Sequence, residues 1–202
     1  MGTKKTDNRS LPSKIAIRTW LLDQMGLKTV RVLDVCTGEG HIWTEMEKHC
    51  DITRWVKVDI KPRRSGTLKL KAVDAIRAFS LDDFDVVDID TYGDPWDAYR
   101  EVLAKLTSPI GVFLTHGHTM SLNVSYATLR SEGIPASWVT QREGAPHATF
   151  MPQTPETGLY FADRALRSTW KTAHIDHAAE IQLRRVAYYA LAIRPLDHVP
   201  AL

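Results

Sequence analysis

The chain has 202 residues, of which 44% are hydrophobic and 25% are charged, and its formal net charge is +2. This size and composition predict one globular domain with a substantial core and exclude a disordered or low-complexity chain. No apolar run approaches the roughly 18 residues that a membrane span needs, so we predict no membrane association.

The cysteine content and the polar start of the chain indicate a cellular compartment. Cys36 and Cys50 are too few for a disulfide framework or a zinc knuckle, which favours a reducing compartment. The opening MGTKKTDNRS lacks the apolar core of a secretory signal, so we predict a cytoplasmic protein. We expect a flexible basic tail at 1–12 and a single domain at 13–202. The sequence gives no indication of oligomeric state.

Positive charge is concentrated in two stretches of the chain. Residues 54–71 contain seven basic side chains against one acid, Asp59. These are Arg54, Lys57, Lys61, Arg63, Arg64, Lys69 and Lys71. The first 18 residues add five more against Asp7. Such patches on a nearly neutral protein are typical of a phosphate-binding face, although solvated loops and a polar tail explain them equally well.

The first half of the chain alternates helices and strands. Apolar spacing predicts a helix over 13–25, ended by Gly26, and a β-branched strand over 29–35. A turn at CTGEG leads into a helix over 41–50. We predict further strands at 54–60, 84–90 and 110–116, a loop or short strand near 67–71, and helices at 73–79, 95–106, 120–132 and 156–169. The helix at 95–106 is expected to be capped by Asp94, with Pro95 at its first position.

The end of the chain predicts a different connection. Two strand-like runs, 174–181 and 184–195, are separated by so few residues that they must pair in an antiparallel hairpin. The whole pattern predicts an α/β fold, a Rossmann-like three-layer sandwich with a mostly parallel seven-stranded sheet and a C-terminal antiparallel hairpin. In such sheets, ligands bind at the carboxyl ends of the strands.

Acids and glycines follow the predicted strands. Asp34, Gly38 and Gly40 follow the first strand, and Asp59 lies nineteen residues past Gly40, where an acid accepts hydrogen bonds from a ribose. This arrangement favours an adenosine-containing ligand. Trp43 stands where a dinucleotide-binding motif has its third glycine, which argues against a bound pyrophosphate.

The stretch VLDVCTGEG resembles the first motif of class I S-adenosylmethionine (SAM)-dependent methyltransferases, and Asp59-Ile60 resembles their second, ribose-binding motif. By the same resemblance, Asp74-Ala75 would lie against the adenine. The cofactor-binding residues that we predict are Asp34, Cys36, Gly38, Gly40, Asp59, Ile60, Asp74, Ala75 and Asp90.

The stretch FDVVDIDTYGDPWDAY, followed by LTHGH, resembles the catalytic segment of tRNA guanine N2-dimethyltransferases. The resemblance runs from about Val30 to Thr115. Thr91 replaces the family's proline, and we expect no counterpart of that family's large C-terminal domain. The resemblance implies methyl transfer to an amino nitrogen of a nucleic-acid base, with RNA favoured over DNA. The alternatives are a small-molecule or protein acceptor, or SAM binding without transfer.

Side chains near the fourth and fifth strand ends are the candidate catalytic and substrate-binding groups. Asp90 would accept hydrogens of the amine and orient its lone pair, and Tyr92 would stack on a flipped base unless it is simply a core aromatic. The substrate-binding residues that we predict are Tyr92, Gly93, His116, His118, Arg63 and Arg64. We predict no metal, because neither His116 with His118 nor His174 with His177 has a third ligand at a matching spacing.

Overall fold

The computed structural model describes residues 10–91, 95–117, 139–140, 149–150, 173–183 and 186–195. The helices are α1 (Leu11–Gln24), α2 (His41–Met46), α3 (Ala72–Ala78) and α4 (Trp96–Ala104). The strands are β1 (Thr29–Asp34), β2 (Asp51–Asp59), β3 (Leu68–Lys69), β4 (Val86–Ile89), β5 (Ile110–Gly117), β6 (Val139–Thr140), β7 (Thr149–Phe150), β8 (Ala173–Leu183) and β9 (Val186–Pro195).

Seven of these strands form one sheet in the order β3-β2-β1-β4-β5-β9-β8. The first five are parallel, whereas β9 runs antiparallel to both β5 and β8. The predicted sheet, with its C-terminal hairpin, is therefore confirmed. The sequence did not predict the short antiparallel pair β6–β7.

Two apolar cores lie on opposite faces of the sheet. One contains buried side chains of α1 and α2, such as Leu21 and Trp43, and the other those of α3 and α4, such as Ile76 and Tyr99. Side chains alternate between the faces along each strand, so β4 directs its odd-numbered residues toward α3 and α4 and its even-numbered ones toward α1. Asp88 therefore lies beneath α1.

Some predicted boundaries differ from the structure. Helix α1 begins at Leu11, two residues before the predicted start, with Pro12 in its first turn, where the missing N–H is tolerated. Helix α2 ends at Met46 rather than at residue 50, because the chain must enter β2 at Asp51, opposite Thr29. The predicted helices at 120–132 and 156–169, and the predicted cap Asp94, lie outside the described residues.

Within the described part of the chain, no helix is long and apolar enough to cross a membrane.

Candidate functional site

The carboxyl ends of β1, β2 and β4 meet at one edge of the sheet, as predicted. Asp34 ends β1, Asp59 ends β2 and Asp90 follows β4 directly. Backbone hydrogen bonds lock these ends together, from Val35 N to the Asp88 carbonyl and from Thr37 N to the Val58 carbonyl, both at 3.0 Å. Three acids that are distant in sequence thus surround one loop.

That loop needs glycine at two positions. Gly38 and Gly40 have φ angles of 57° and 75°, in the left-handed region that other residues adopt only with strain. The Gly38 N–H donates to Asp59 Oδ2 at 2.8 Å. A Cβ at Gly40 would lie 2.5 Å from Nη1 of Arg64, so a side chain there would displace that guanidinium.

Asp59 keeps acceptor capacity beyond its protein contacts. Its second oxygen accepts the Lys61 N–H at 2.7 Å. A carboxylate offers about four lone-pair sites, so these two bonds leave room for two ribose hydroxyls. Ile60, beside it, has 55% of its surface exposed, which provides an apolar surface next to the acid.

The predicted adenine contacts occupy different environments. Asp74 is exposed in the first turn of α3. The side chain of Ala75 is fully buried in the core between α3, α4 and the sheet. An adenine bound here would therefore reach Ala75 only at the bottom of its pocket, because the Ala75 side chain is not at the surface.

Asp88 binds a protein cation. Its carboxylate accepts two hydrogen bonds from Arg18 of α1, at 2.9 and 2.7 Å, and one from the Trp43 indole at 2.7 Å. Arg18 also lies 5.0 Å from the centroid of the Phe113 ring. All these donors are buried, so Asp88 anchors α1 on the sheet.

Asp34 lies directly beside Asp88 in the register of β1 and β4, but none of the ion pairs in the described part of the chain involves it. Its carboxyl accepts a hydrogen bond from the Trp55 indole at 3.3 Å. Burial, and then the negative charge of Asp88, raises the pKa of Asp34 well above its usual range. Asp34 therefore keeps its proton to a higher pH than an exposed aspartate does.

Asp90 has the opposite character. Burial raises its pKa, but the charges of Lys14 and Arg18, with hydrogen bonds from Lys14 and Thr115, outweigh burial and hold the pKa below its usual value. Lys14 Nζ lies 2.5 Å from Asp90 Oδ2. The group predicted to orient the amine is thus an ionised carboxylate.

Cys36 lies inside this ring of acids. Burial, and then the charges of Asp34 and other surrounding carboxylates, raises the pKa of the Cys36 thiol well above its usual value. A protonated thiol is a poor nucleophile, so Cys36 is suited to contact a cofactor rather than to attack a substrate.

The predicted substrate side is described only in part. His116 is 1% exposed, with its ring centroid 5.8 Å from that of Trp96, so it lies inside the protein. The Thr91 hydroxyl donates to the Thr115 carbonyl at 3.4 Å and thereby links the ends of β4 and β5. Tyr92, Gly93 and His118 lie outside the described residues.

Arg63 and Arg64 contact the glycine loop rather than standing apart from it. Arg63 lies 3.7 Å from the Glu39 carboxylate. Arg64 donates to the Thr44 hydroxyl at 2.7 Å and lies 4.8 Å from the centroid of the Trp55 ring. The fold also brings Asp83 to Arg54, at 3.2 Å, so the basic stretch is less positive than its sequence indicates.

Among the residues that the structure describes, no group of three or more histidine, cysteine or acidic side chains is arranged to hold a metal ion.

Comparison with known proteins relates this geometry to a fold family. No protein-family profile and no curated protein sequence matches the chain. The structure of Trm1 from Pyrococcus horikoshii with S-adenosyl-L-methionine is similar, with a TM-score of 0.64 and 12% identity over 94% of this chain and 56% of that chain. The chain has the α/β fold of class I methyltransferases.

Two further solved structures share the fold. The CurJ carbon methyltransferase has a TM-score of 0.53 and 13% identity, over 89% of this chain and 53% of its own. A Streptococcus thermophilus protein described as a hemolysin has a TM-score of 0.55 and 8% identity, over 99% of this chain and 72% of its own. This chain spans only about half the length of the Trm1 and CurJ structures.

Sequence reasoning missed the side chains that bind the acids. These are Lys14, Arg18, Trp43, Trp55 and Thr115. One signal was present: Arg18 interrupts the buried face that Ile15, Leu21 and Leu22 form, and a buried cation requires an acid partner.

Proposed function

We propose that this protein is a SAM-dependent methyltransferase that transfers the methyl group to an amino nitrogen of a nucleic-acid base, with RNA as the favoured substrate. The observation that carries the proposal is the convergence of Asp34, Asp59 and Asp90 around a left-handed glycine loop, in a fold of the class I methyltransferase type.

The charge of the site favours SAM over a phosphate-containing cofactor. Four carboxyl groups surround the Cys36 loop, namely Asp34, Asp59, Asp88 and Asp90. Carboxylate oxygens accept hydrogen bonds and offer no donor to a pyrophosphate, whereas SAM presents a sulfonium and an ammonium instead of phosphates. The two remaining acceptor sites of Asp59 suit the ribose, and the exposed Ile60 suits one face of the adenine.

In this proposal, Asp90 orients the amine that accepts the methyl group. The lone pair of an exocyclic amine is delocalised into its ring, so a carboxylate that accepts an N–H hydrogen increases nucleophilicity and fixes direction. SAM, when bound, supplies an electrophilic methyl group. The ionised state of Asp90 suits an acceptor of hydrogen bonds, and the Thr91–Thr115 contact holds the neighbouring strand end in place.

The nucleic-acid substrate is supported by the DIDTYG sequence, which starts at Asp88 in β4, and by the basic stretch at 54–71. The cofactor is supported by Trm1, which has a similar fold and whose structure contains SAM.

The proposal is tested in two steps. Calorimetry should detect binding of SAM and of its demethylated product. Incubation with labelled SAM and separate pools of RNA, DNA, protein and metabolites should then transfer label to RNA. Absence of any SAM binding would contradict the cofactor assignment, and label in a different pool would identify a different acceptor.

A further inference from the structure

Lys14 forms an ion pair with the proposed catalytic carboxylate, Asp90, although 76 residues separate them in sequence. Its Nζ lies 2.5 Å from Asp90 Oδ2, and only 14% and 15% of the two side chains are exposed. A charged pair this close and this shielded from water interacts more strongly than a surface salt bridge.

Besides Asp90, two contacts hold Lys14 in position. Its backbone carbonyl accepts a hydrogen bond from Arg18 Nη1 at 3.0 Å, and Arg18 is itself fixed by Asp88. The Lys14 ammonium lies 5.4 Å from the ring centroid of Tyr188, whose hydroxyl donates to Ser10 Oγ at 2.6 Å. The first turn of α1 therefore delivers the ammonium to one defined oxygen of Asp90.

The positive charge of Lys14 balances the negative charge of Asp90. The groups that face it are Lys14 and Arg18 of α1, Asp34 of β1, Cys36 of the glycine loop, Asp88 of β4 and Thr115 of β5. Arg18 is paired with Asp88, Asp34 and Cys36 favour their neutral forms, and Thr115 carries no charge. Lys14 and Asp90, 2.5 Å apart, form a pair without net charge.

We infer that Lys14 is a positioning and specificity-determining residue. It holds Oδ2 of Asp90 and neutralises the charge of the carboxylate. The site therefore accepts an uncharged, conjugated amine and rejects a cationic alkylamine. This inference rests on the proposed function. An alkylamine arrives as an ammonium ion, and a neutral pair offers it no net attraction and no strong base to remove its proton. An exocyclic amine of a nucleobase is already uncharged and needs only a hydrogen-bond acceptor, which we assign to Oδ1.

The transfer step balances without a base at Asp90. The amine nitrogen forms a bond to the methyl carbon while the carbon–sulfur bond breaks and its electron pair stays on sulfur. The nitrogen then carries a positive charge, becomes strongly acidic and releases its proton to water. Asp90 keeps its hydrogen bond throughout.

The test compares Lys14→Met, which removes the charge, with Lys14→Arg, which keeps it. Lys48→Met is the matched control, because Lys48 is exposed and binds only Glu45 in the described structure. Lys14→Gln replaces Lys14→Met if the latter does not fold, as judged by thermal unfolding.

Two measurements are made on each variant. NMR titration of isotope-labelled aspartate carboxyls should show Asp90 titrating at higher pH in Lys14→Met than in the wild type, with little change in Lys14→Arg and Lys48→Met. Competition between RNA and spermidine for labelled methyl should shift about tenfold toward spermidine in Lys14→Met alone.

The outcomes separate this inference from the function on which it rests. An Asp90 titration, or an RNA to spermidine ratio, that is the same in Lys14→Met as in the wild type overturns the role of Lys14. If the wild-type protein binds SAM but methylates neither RNA nor spermidine, the proposed function is overturned, and the proposed selectivity with it. The NMR titration of Asp90 still decides whether Lys14 holds Asp90 ionised.

Discussion

The guanidinium of Arg18 in α1 and the carboxylate of Asp88 in β4 form a two-point ion pair whose side chains are only 2% and 1% exposed. Because water cannot replace either partner, removing one leaves a buried charge. Arg18→Met should therefore lower the free energy of unfolding by about 3 to 5 kcal/mol, measured in urea. The control is Arg31→Met, which breaks the equally short but half-exposed pair with Asp85 and should cost about 0 to 1 kcal/mol. Equal losses in the two variants would contradict the burial argument.

The glycine loop is tested with a matched pair of substitutions. Gly26 and Gly40 both have left-handed φ angles, but a Cβ at Gly26 would meet nothing within 4 Å, whereas one at Gly40 would displace Arg64. Both alanine variants should lose about 1 to 2 kcal/mol of stability from backbone strain. Only Gly40→Ala should also weaken SAM binding, about tenfold by calorimetry. A Gly26→Ala variant with the same loss of affinity would show that strain alone is responsible.

Asp34 predicts a pH dependence of stability with a definite sign. Its pKa is raised in the folded state. At a pH between the unfolded pKa of about 3.9 and the folded pKa, the unfolded chain therefore binds fewer protons than the folded protein. The wild type consequently loses stability as the pH rises through that window, whereas Asp34→Asn, which keeps an acceptor for Trp55, does not. Urea unfolding at several pH values should show that, above about pH 4, the free energy of unfolding of the variant rises relative to that of the wild type.

The control for this experiment is Asp74→Asn at an exposed position in the first turn of α3. It should change stability by under about 1 kcal/mol. A difference between Asp34→Asn and the wild type that is constant with pH would show that folding does not raise the pKa of Asp34.

The sequence predicted the sheet and the acids at its edge because both depend on local patterns. β-branched strands, glycines with left-handed geometry and acids that directly follow strands leave a periodic or positional trace. Asp34, Gly38, Gly40, Asp59 and Asp90 are therefore found together as expected.

The partners of those acids could not be predicted in the same way. Lys14 and Arg18 meet Asp90 and Asp88 across 76 and 70 residues, through the packing of α1 on the sheet. No local pattern specifies which acid a buried cation will contact. Trp43 was noticed only because it is not glycine, although its indole N–H is one of the donors that make the burial of Asp88 tolerable.

Cofactor binding and methyl transfer should be separable by substitution at two acids. Asp59→Ala removes the acceptor of the Gly38 N–H and of the proposed ribose hydroxyls, so it should weaken SAM binding by about 1 to 3 kcal/mol. Asp90→Asn should abolish transfer of labelled methyl while SAM affinity stays nearly intact, because the amide lacks the negative charge that orients the amine. Full activity in Asp90→Asn would contradict the assigned role of this carboxylate.

The two neighbouring arginines should affect different steps. Arg63 is exposed and contacts only the Glu39 carboxylate in the described structure, whereas Arg64 lies across the glycine loop on Gly40, Thr44 and Trp55. Arg63→Gln should weaken RNA binding at low salt and reduce the dependence of log affinity on log salt by about one phosphate contact, with SAM affinity unchanged. Arg64→Gln should weaken SAM binding as well, because the loop loses its support.

Glu39 supplies the complementary variant for this experiment. Its carboxylate competes with phosphate for Arg63 at 3.7 Å, so Glu39→Gln should tighten RNA binding at low salt, and this gain should disappear in the double variant with Arg63→Gln. Fluorescence anisotropy with a labelled RNA at several salt concentrations measures all three affinities. An RNA affinity that ignores salt, or a Glu39→Gln gain that persists without Arg63, would place the nucleic acid on another surface of the protein.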